Sequence, residues 1–388
     1  LSSGNPRQRT VAIIQPYPTA YREALWEQLA LVLRDRYGIR LSVHFGQPVG
    51  ESLGRNDAVR AVNVLGQKAI GLGSRRLVLK VPSKTVLAAD LIVIEHAVKN
   101  LESYALIALA KLSSKKVAIW GHGHTVTIPV SRLSLRTQSV MAKMTDWYFA
   151  YTSGSALRAI ELGARKDRIT VLNNSKSTGA LRSRRTDEDS GSPSFTCLYV
   201  GALDASKRVS FLSAACARVH EIEPRFRLKV IGAGPDTELL VNPATRDWCM
   251  HLGSGPIENF LGEISDVVLL LMPGRVGLVA IDSFALGTPI VSTDSVFHAP
   301  EFEYLNARNS VVTADTLEAF VEGVTALLED RPRLRELSSE CRRLALVYSI
   351  ERMADAFATG IHKALYDLET PIENDSPGRA PSFKDGSH

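Results

Sequence analysis

A chain of 388 residues is long enough for about two domains, each with its own core. Its 45% hydrophobic and 22% charged residues suit a globular protein, and no apolar run reaches the ~18 residues expected of a membrane span. The net charge of +5 hides an asymmetry: Lys and Arg outnumber Asp and Glu 28 to 14 over residues 1–190, and trail 18 to 27 over residues 191–388. A basic first half implies an anionic counterpart (a membrane surface, a phospholipid-linked acceptor or nucleic acid) or simply a solvated face. Aromatics do not alternate with the basic residues, which argues against nucleic acid. Cys197, Cys216, Cys249 and Cys341 form no C-x-x-C pair and no H-E-x-x-H is present, so neither a disulfide framework nor a metal site is expected. Leu1–Thr10 lacks the apolar stretch of a secretory leader, and a cytoplasmic setting is the expectation.

In chain order, strands are predicted at Val11–Ile14, Leu41–Phe45, Leu77–Val81, Leu91–Ile94, Val117–Trp120 and Trp147–Ala150. Helical periods lie between several of them, at Tyr21–Arg36, Leu101–Leu112, Ser131–Met144 and Ser153–Leu162. Short apolar strands alternating with helices imply a parallel sheet covered on both faces. The polar segment Ser175–Pro193 interrupts the pattern and reads as a boundary loop. Alternation then resumes at Thr196–Val200, Arg227–Ile231, His251–Gly253, Val267–Met272, Ile290–Thr293 and Ser310–Val312. A long amphipathic helix over roughly 350–368 and a Pro/Ser/Gly-rich tail from Pro371, expected to be disordered, close the chain.

The expected fold class is thus α/β, with two Rossmann-like doubly wound parallel-sheet domains facing across a cleft. The division is 1–180 for a basic first domain, 181–193 for a linker, 194–349 for a second domain, 350–370 for a crossing helix and 371–388 for the tail.

The richest stretch is Leu271–Thr293. Pro273 and Gly274 end an apolar strand, Gly277 opens a helix carrying Asp282, and Gly287-Thr-Pro289 stops it. Free amides and the positive end of a helix dipole then meet at one point, an anion site, with an acid one turn away able to hold a ribose diol or a sugar hydroxyl. Many such turns bind nothing, but two more strand-to-glycine turns share this half: Leu198–Arg208, with Gly201 and the Lys207-Arg208 pair, and Leu228–Pro235, with Gly232. In the first half, Trp120-Gly-His-Gly-His124 follows a buried strand. Tyr21 and Arg22 open the first long helix as candidates for an acceptor or an anion, with capping and packing as the equal alternative. Ser131–Met144 combines Arg132, Arg136 and Lys143 with apolar residues, the composition of a helix resting on a membrane or of an ordinary half-buried one.

Taken with Asp146–Thr152, Lys166–Asn174 and Tyr348–Phe357, these motifs resemble the retaining GT-B glycosyltransferases of family 4, the group 1 glycosyltransferases, over nearly the whole ordered chain. The resemblance implies sugar transfer from a nucleotide-diphosphate-sugar to a hydroxyl of a glycan or lipid-linked acceptor. The setting it suggests is cell-surface polysaccharide or glycoconjugate synthesis, in the cytoplasm or peripherally at the inner face of the membrane. No metal or other cofactor and no nucleic-acid partner are expected.

By the same resemblance, Lys207 holds the donor diphosphate, His122 contacts the donor sugar with His124 a weaker neighbour, and Asp282 holds the ribose. His122, Lys207 and Asp282 are thus the expected catalytic group. Gly201, Arg208, Gly232, Gly274, Arg275, Val276, Gly277 and Leu278 complete the donor set, the amides of Val276, Gly277 and Leu278 facing phosphate or sugar oxygens. Two family positions depart: Ala202 stands where an arginine is usual, with Arg208 or Arg275 as stand-ins, and Gly274 stands where the first acid of E-x7-E contacts the sugar. The kept glycines mark a variant turn. The rivals are a GT-B nucleotide-sugar epimerase and a non-catalytic nucleotide-sugar-binding pseudo-enzyme. An NAD dehydrogenase is disfavoured because no G-x-G-x-x-G follows the first strand.

Overall fold

Continuous apolar runs become strands buried on both faces. The computed structural model describes residues 7–49, 58–72, 75–123, 131–183 and 194–366. In the first unit β1 (Thr10–Gln15), α1 (Glu23–Tyr37), β2 (Arg40–Phe45), β3 (Gln67–Leu72), β4 (Arg75–Lys80), α2 (Lys84–Ala88), β5 (Leu91–Glu95) and α3 (Leu101–Lys111) follow one another. They are succeeded by β6 (Lys116–Gly121), α4 (Arg132–Met144), β7 (Trp147–Ala150), α5 (Ser153–Glu161), β8 (Ile169–Val171) and the short α6 (Gly179–Arg182). The second unit runs β9 (Thr196–Val200), α7 (Val209–Ile222), β10 (Arg227–Ile231), β11 (Cys249–Gly253), β12 (Val267–Met272), α8 (Val279–Leu286), β13 (Ile290–Thr293) and β14 (Ser310–Thr313). Three helices end it: α9 (Leu317–Glu329), α10 (Arg331–Leu344) and α11 (Ile350–Tyr366).

Two six-stranded parallel sheets result, in the orders β2-β1-β5-β6-β7-β8 and β11-β10-β9-β12-β13-β14. This is the doubly wound α/β class expected from the sequence. One strand departs from the expected alternation: β4, predicted within the parallel sheet, pairs antiparallel with β3 as a separate two-stranded ribbon. Strand order reverses between β1 and β5 in the first sheet and between β9 and β12 in the second, and ligands bind such sheets beyond the strand ends at the reversal. The turns after β9 and β12 carry Lys207 and Gly274; the turn after β1 carries Tyr21 and Arg22.

The linker and the last helix bind the halves together. α11 returns to the first unit, laying Met353, Phe357 and Ile361 against Leu25, Leu29 and Leu33 of α1 and against the sheet residues Trp120 and Phe149. The rings of Phe357 and Phe149 lie 4.5 Å apart. Gly360 is required by this approach, since a Cβ there would sit 2.5 Å from Thr170 Oγ1 and 2.6 Å from Phe149 Cε1. The expected tail from Pro371 and most of the expected 181–193 linker lie outside the described residues.

Truncating Phe357 to Ala removes a ring from the contact between α11 and the first sheet. It is expected to cost the first unit about 3–5 kcal/mol. Urea titration followed by tryptophan fluorescence checks this. The transition reported by Trp26, Trp120 and Trp147 should move to lower urea, and that of Trp248 in the second unit should not.

Candidate nucleotide-sugar site

Two turns of the second unit are zipped together at the strand-order reversal. After β9, Asp204 accepts from Ser206 N (2.9 Å) and starts a 3-10 turn, Ala205–Lys207. After β12, Arg275 N donates to Ser206 O (3.2 Å), and Lys207 Nζ donates back to Arg275 O (2.6 Å). The ammonium is thereby held at the mouth of the α8 turn. Burial, and the Arg275 guanidinium, lower the Lys207 pKa to about 8.

Gly274 lies directly on the Lys207 backbone. A Cβ at 274 would stand 2.4 Å from both the carbonyl carbon and the carbonyl oxygen of Lys207. No carboxylate can occupy this position while the two turns are zipped, which is the physical reason the chain carries glycine where the resemblance expects an acid. Gly232 has a similar origin. A Cβ there would come 1.9 Å from Gly201 O, so Gly232 lets the turns after β9 and β10 touch.

The anion turn differs from expectation at one amide. Val276 N donates to His298 Nδ1 (3.1 Å) and Val276 O accepts from Ala299 N (2.9 Å), so Val276 is not available to a ligand. Among the described residues the amides of Gly277 and Leu278 have no protein acceptor, and they precede the first turn of α8. With Lys207 they make up the remaining candidate anion site. Arg208 also departs from its expected role as a stand-in for the arginine missing at 202. It holds a left-handed conformation (φ 56°), and its guanidinium is tied to Asp315, Pro273 O and Thr293 Oγ1 over the Phe211 ring.

Asp282 is brought beside a cation that sequence reasoning did not pair with it. α8 is apolar almost all round and buried, and Asp282 on it is only 3% exposed. Its carboxylate forms an ion pair with Lys176 Nζ at 2.7 Å, from the linker after β8. Burial raises the Asp282 pKa, and Lys176 opposes the rise. Asp282 is therefore not the free ribose-binding acid that the sequence suggested: a diol reaching it must share it with Lys176.

A chain of contacts joins the first unit to this turn. The His122 ring lies 5.5 Å from Tyr151, and the Arg22 guanidinium 5.9 Å from Tyr151 and 4.8 Å from Trp120. Arg22, 4% exposed, donates to Asn174 Oδ1 (2.7 Å), and Asn174 Nδ2 donates to Glu301 Oε1. Glu301 Oε2 would in turn lie 3.8 Å from a Cβ on Gly277. Arg22 is thus a buried tie between the units, where the sequence offered it as an acceptor contact. Tyr21 beside it stays 39% exposed, and its ring lies 4.9 Å from the Arg22 guanidinium. His124 lies outside the described residues. Glu303 adds a second tie, accepting from Gly154 N at the start of α5 (3.0 and 3.2 Å). No group of three or more His, Cys, Asp or Glu side chains is placed to hold a metal ion among the described residues.

Sequence reasoning missed Glu301, Asn174, Lys176 and His298. The first three make cross-unit pairs whose partners lie more than a hundred residues away, and no local spacing signals them. His298 had a weak signal, as a histidine in the loop after an apolar strand.

Replacing Gly274 by Ala is expected to force the two turns apart. The stability loss should be about 1–3 kcal/mol by denaturant titration, with anion binding at Lys207 lost. Gly274→Glu, which restores the expected acid, should fare no better.

Comparison with known proteins bears on the fold. Residues 194–330 match the sequence family described as glycosyl transferases group 1. No curated protein matches the sequence. Among solved structures, a glycosyltransferase from Rickettsia africae is similar at 12% identity over 93% of this chain and 99% of that one, with a TM-score of 0.64. A sucrose-phosphate synthase from Thermosynechococcus elongatus gives 14% identity, 93% and 100% coverage and a TM-score of 0.65. Anabaena HepE, solved with UDP and glucose, gives 12%, 91% and 99%, and 0.57. These likenesses establish the two-domain GT-B fold for the chain, and within its second domain residues 194–330 match the group 1 glycosyltransferase family.

Proposed function

We propose that the chain transfers a sugar from a nucleotide-diphosphate-sugar to a hydroxyl of a glycan or lipid-linked acceptor, with retention at the anomeric carbon. One observation carries the reading. In the domain that matches the family, a fixed ammonium and two unpartnered amides converge at the strand-order reversal. The UDP bound to Anabaena HepE, a protein of the same fold, supports a nucleotide donor.

In this reading the diphosphate rests on Lys207 and the amides of Gly277 and Leu278. The acceptor oxygen bonds to the anomeric carbon as the bond from that carbon to the phosphate oxygen breaks. The acceptor's proton passes to the departing phosphate oxygen. Negative charge accumulating on the diphosphate meets Lys207, so turnover is expected to survive chelation of divalent cations. His122 faces the transferred sugar, and closure of the two units excludes water from the reacting atoms.

The acceptor side fits an anionic surface. On α4, Leu133 (66% exposed) and Val140 (53% exposed) stand with Arg132, Arg136 and Lys143 on the outside of the basic first unit. An exposed row of apolar and basic residues suits a headgroup layer. No helix among the described residues is long and apolar enough to cross a membrane, so the attachment proposed is peripheral. It would bring the protein to a lipid-linked acceptor.

Two measurements test the reading. In thermal-shift titrations with UDP-, GDP-, ADP- and dTDP-sugars, one donor should stabilise the chain and Lys207→Ala should abolish the shift. Above pH 8 free Lys207 loses its proton while the bound diphosphate favours the ammonium, so donor affinity should fall up to about tenfold per pH unit. Lys207→Ala should bind weakly and evenly over the same range. Stabilisation without turnover on any acceptor would identify a non-catalytic binder, and epimer or free sugar formed without acceptor would identify an epimerase. In a vesicle-pelleting assay, the chain should co-sediment with phosphatidylglycerol vesicles at low salt, and Leu133→Ser with Val140→Ser should release it.

A further inference from the structure

His298 is used twice, and both uses fix its state. Nδ1 accepts the Val276 amide at 3.1 Å, so it carries a lone pair. Nε2 then carries the proton and donates to Thr293 O at 2.8 Å. The ring stacks on Phe302 with centroids 3.7 Å apart and planes 3° from parallel. One uncharged tautomer is therefore clamped between the end of β13 and the anion turn. Val276 O, bonded to Ala299 N at 2.9 Å, makes the second rung of the same clamp.

We propose that His298 is a positioning residue of the donor site. By accepting the Val276 amide it sets the path of the 274–278 turn, so that the next two amides, Gly277 and Leu278, face the diphosphate beside Lys207, and its protonation releases the turn. This rests on the nucleotide-sugar reading for the identity of the anion, but the clamp itself does not.

The clamp fails when Nδ1 gains a proton, because a donor then faces the Val276 donor. Three charged groups face the ring: Lys207 and Arg208 from the segment before α7, and Asp315 from the segment after β14. Burial and the two cations hold the imidazole below its usual range, while the bond to Thr293 O and Asp315 act the other way. The neutral form is thus kept through neutral pH and lost in acid. Donor affinity consequently has an acid limb from His298 and an alkaline limb from Lys207. A diphosphate esterified at both ends does not titrate between pH 5 and 8, so the acid limb belongs to the protein.

The test compares wild type with His298→Leu, which removes the acceptor, and His298→Asn, whose side-chain oxygen can accept from Val276 without titrating. On the ligand-free chain, long-range proton–nitrogen spectra of ring-labelled histidine should show an unprotonated His298 Nδ1 at pH 7.5. Exchange of the Val276 amide should rise at least tenfold in His298→Leu and return near wild type in His298→Asn. With whichever of UDP-glucose, GDP-mannose, ADP-glucose and dTDP-glucose binds best, wild-type affinity should drop by more than twofold from pH 7.5 to 5. His298→Asn should lose less than twofold, and His298→Leu should be weak at both. A protonated Nδ1 at pH 7.5, unchanged Val276 exchange in His298→Leu, or an acid limb persisting in His298→Asn would each overturn the proposal. If the exchange results hold and none of the four sugars binds, the donor reading falls and the His298 clamp stands.

Discussion

The site depends on one backbone approach: the turn after β12 lies against the turn after β9 with no side chain between them at Gly274. Because the contact is backbone on backbone, the Lys207 stem and the α8 turn move as one piece. The ammonium donates to a carbonyl of the very turn whose amides complete the anion site. A lysine at a helix start is ordinarily a solvated, mobile cation, and immobilising it beforehand lowers what must be ordered should an anion bind there. The same approach excludes a carboxylate at 274. Glu301, in the loop after β13, lies beside Gly277 and is held by Asn174.

The cross-unit contacts place charge beneath the cleft. Asp282 and Lys176 neutralise one another, and Arg22 and Glu301 are bridged through Asn174. Buried charges are tolerated only when paired, and here the pairing is made by segments from both units. Their relative position is consequently written into the electrostatics of the site, and a shift of one unit that separated Lys176 from Asp282 would leave that acid unpaired.

The parallel strands and the helices between them were legible because each is a short apolar run bounded by glycine or polar turns, and burial on both faces requires that composition. β3 was not legible: Gln67–Leu72 mixes polar and apolar residues and lies off the main sheet, with Ile70 46% exposed. The anion turn was visible in the order strand, glycine, helix. Which of its amides remained free was not, since His298 meets Val276 across 22 residues through loop packing alone. Asp282 was visible as the lone acid of an apolar helix, but its partner Lys176 comes from the other side of a domain boundary. Local pattern thus identified the elements and the candidate groups, and tertiary contact decided which of those groups were already in use.

α11 has a consequence for how the chain is made. Its residues complete the first core, yet they are among the last of the described chain to leave the ribosome. Until Phe357 and Ile361 emerge, the side of α1 that meets α11 and the neighbouring part of that sheet face stay uncovered, although every strand of that sheet has long been synthesised. The second unit, whose core is drawn from residues 181–345, can close earlier. Synthesis from the amino end therefore finishes the later unit first, and the earlier one waits with an apolar face exposed, the state in which a chaperone would find it.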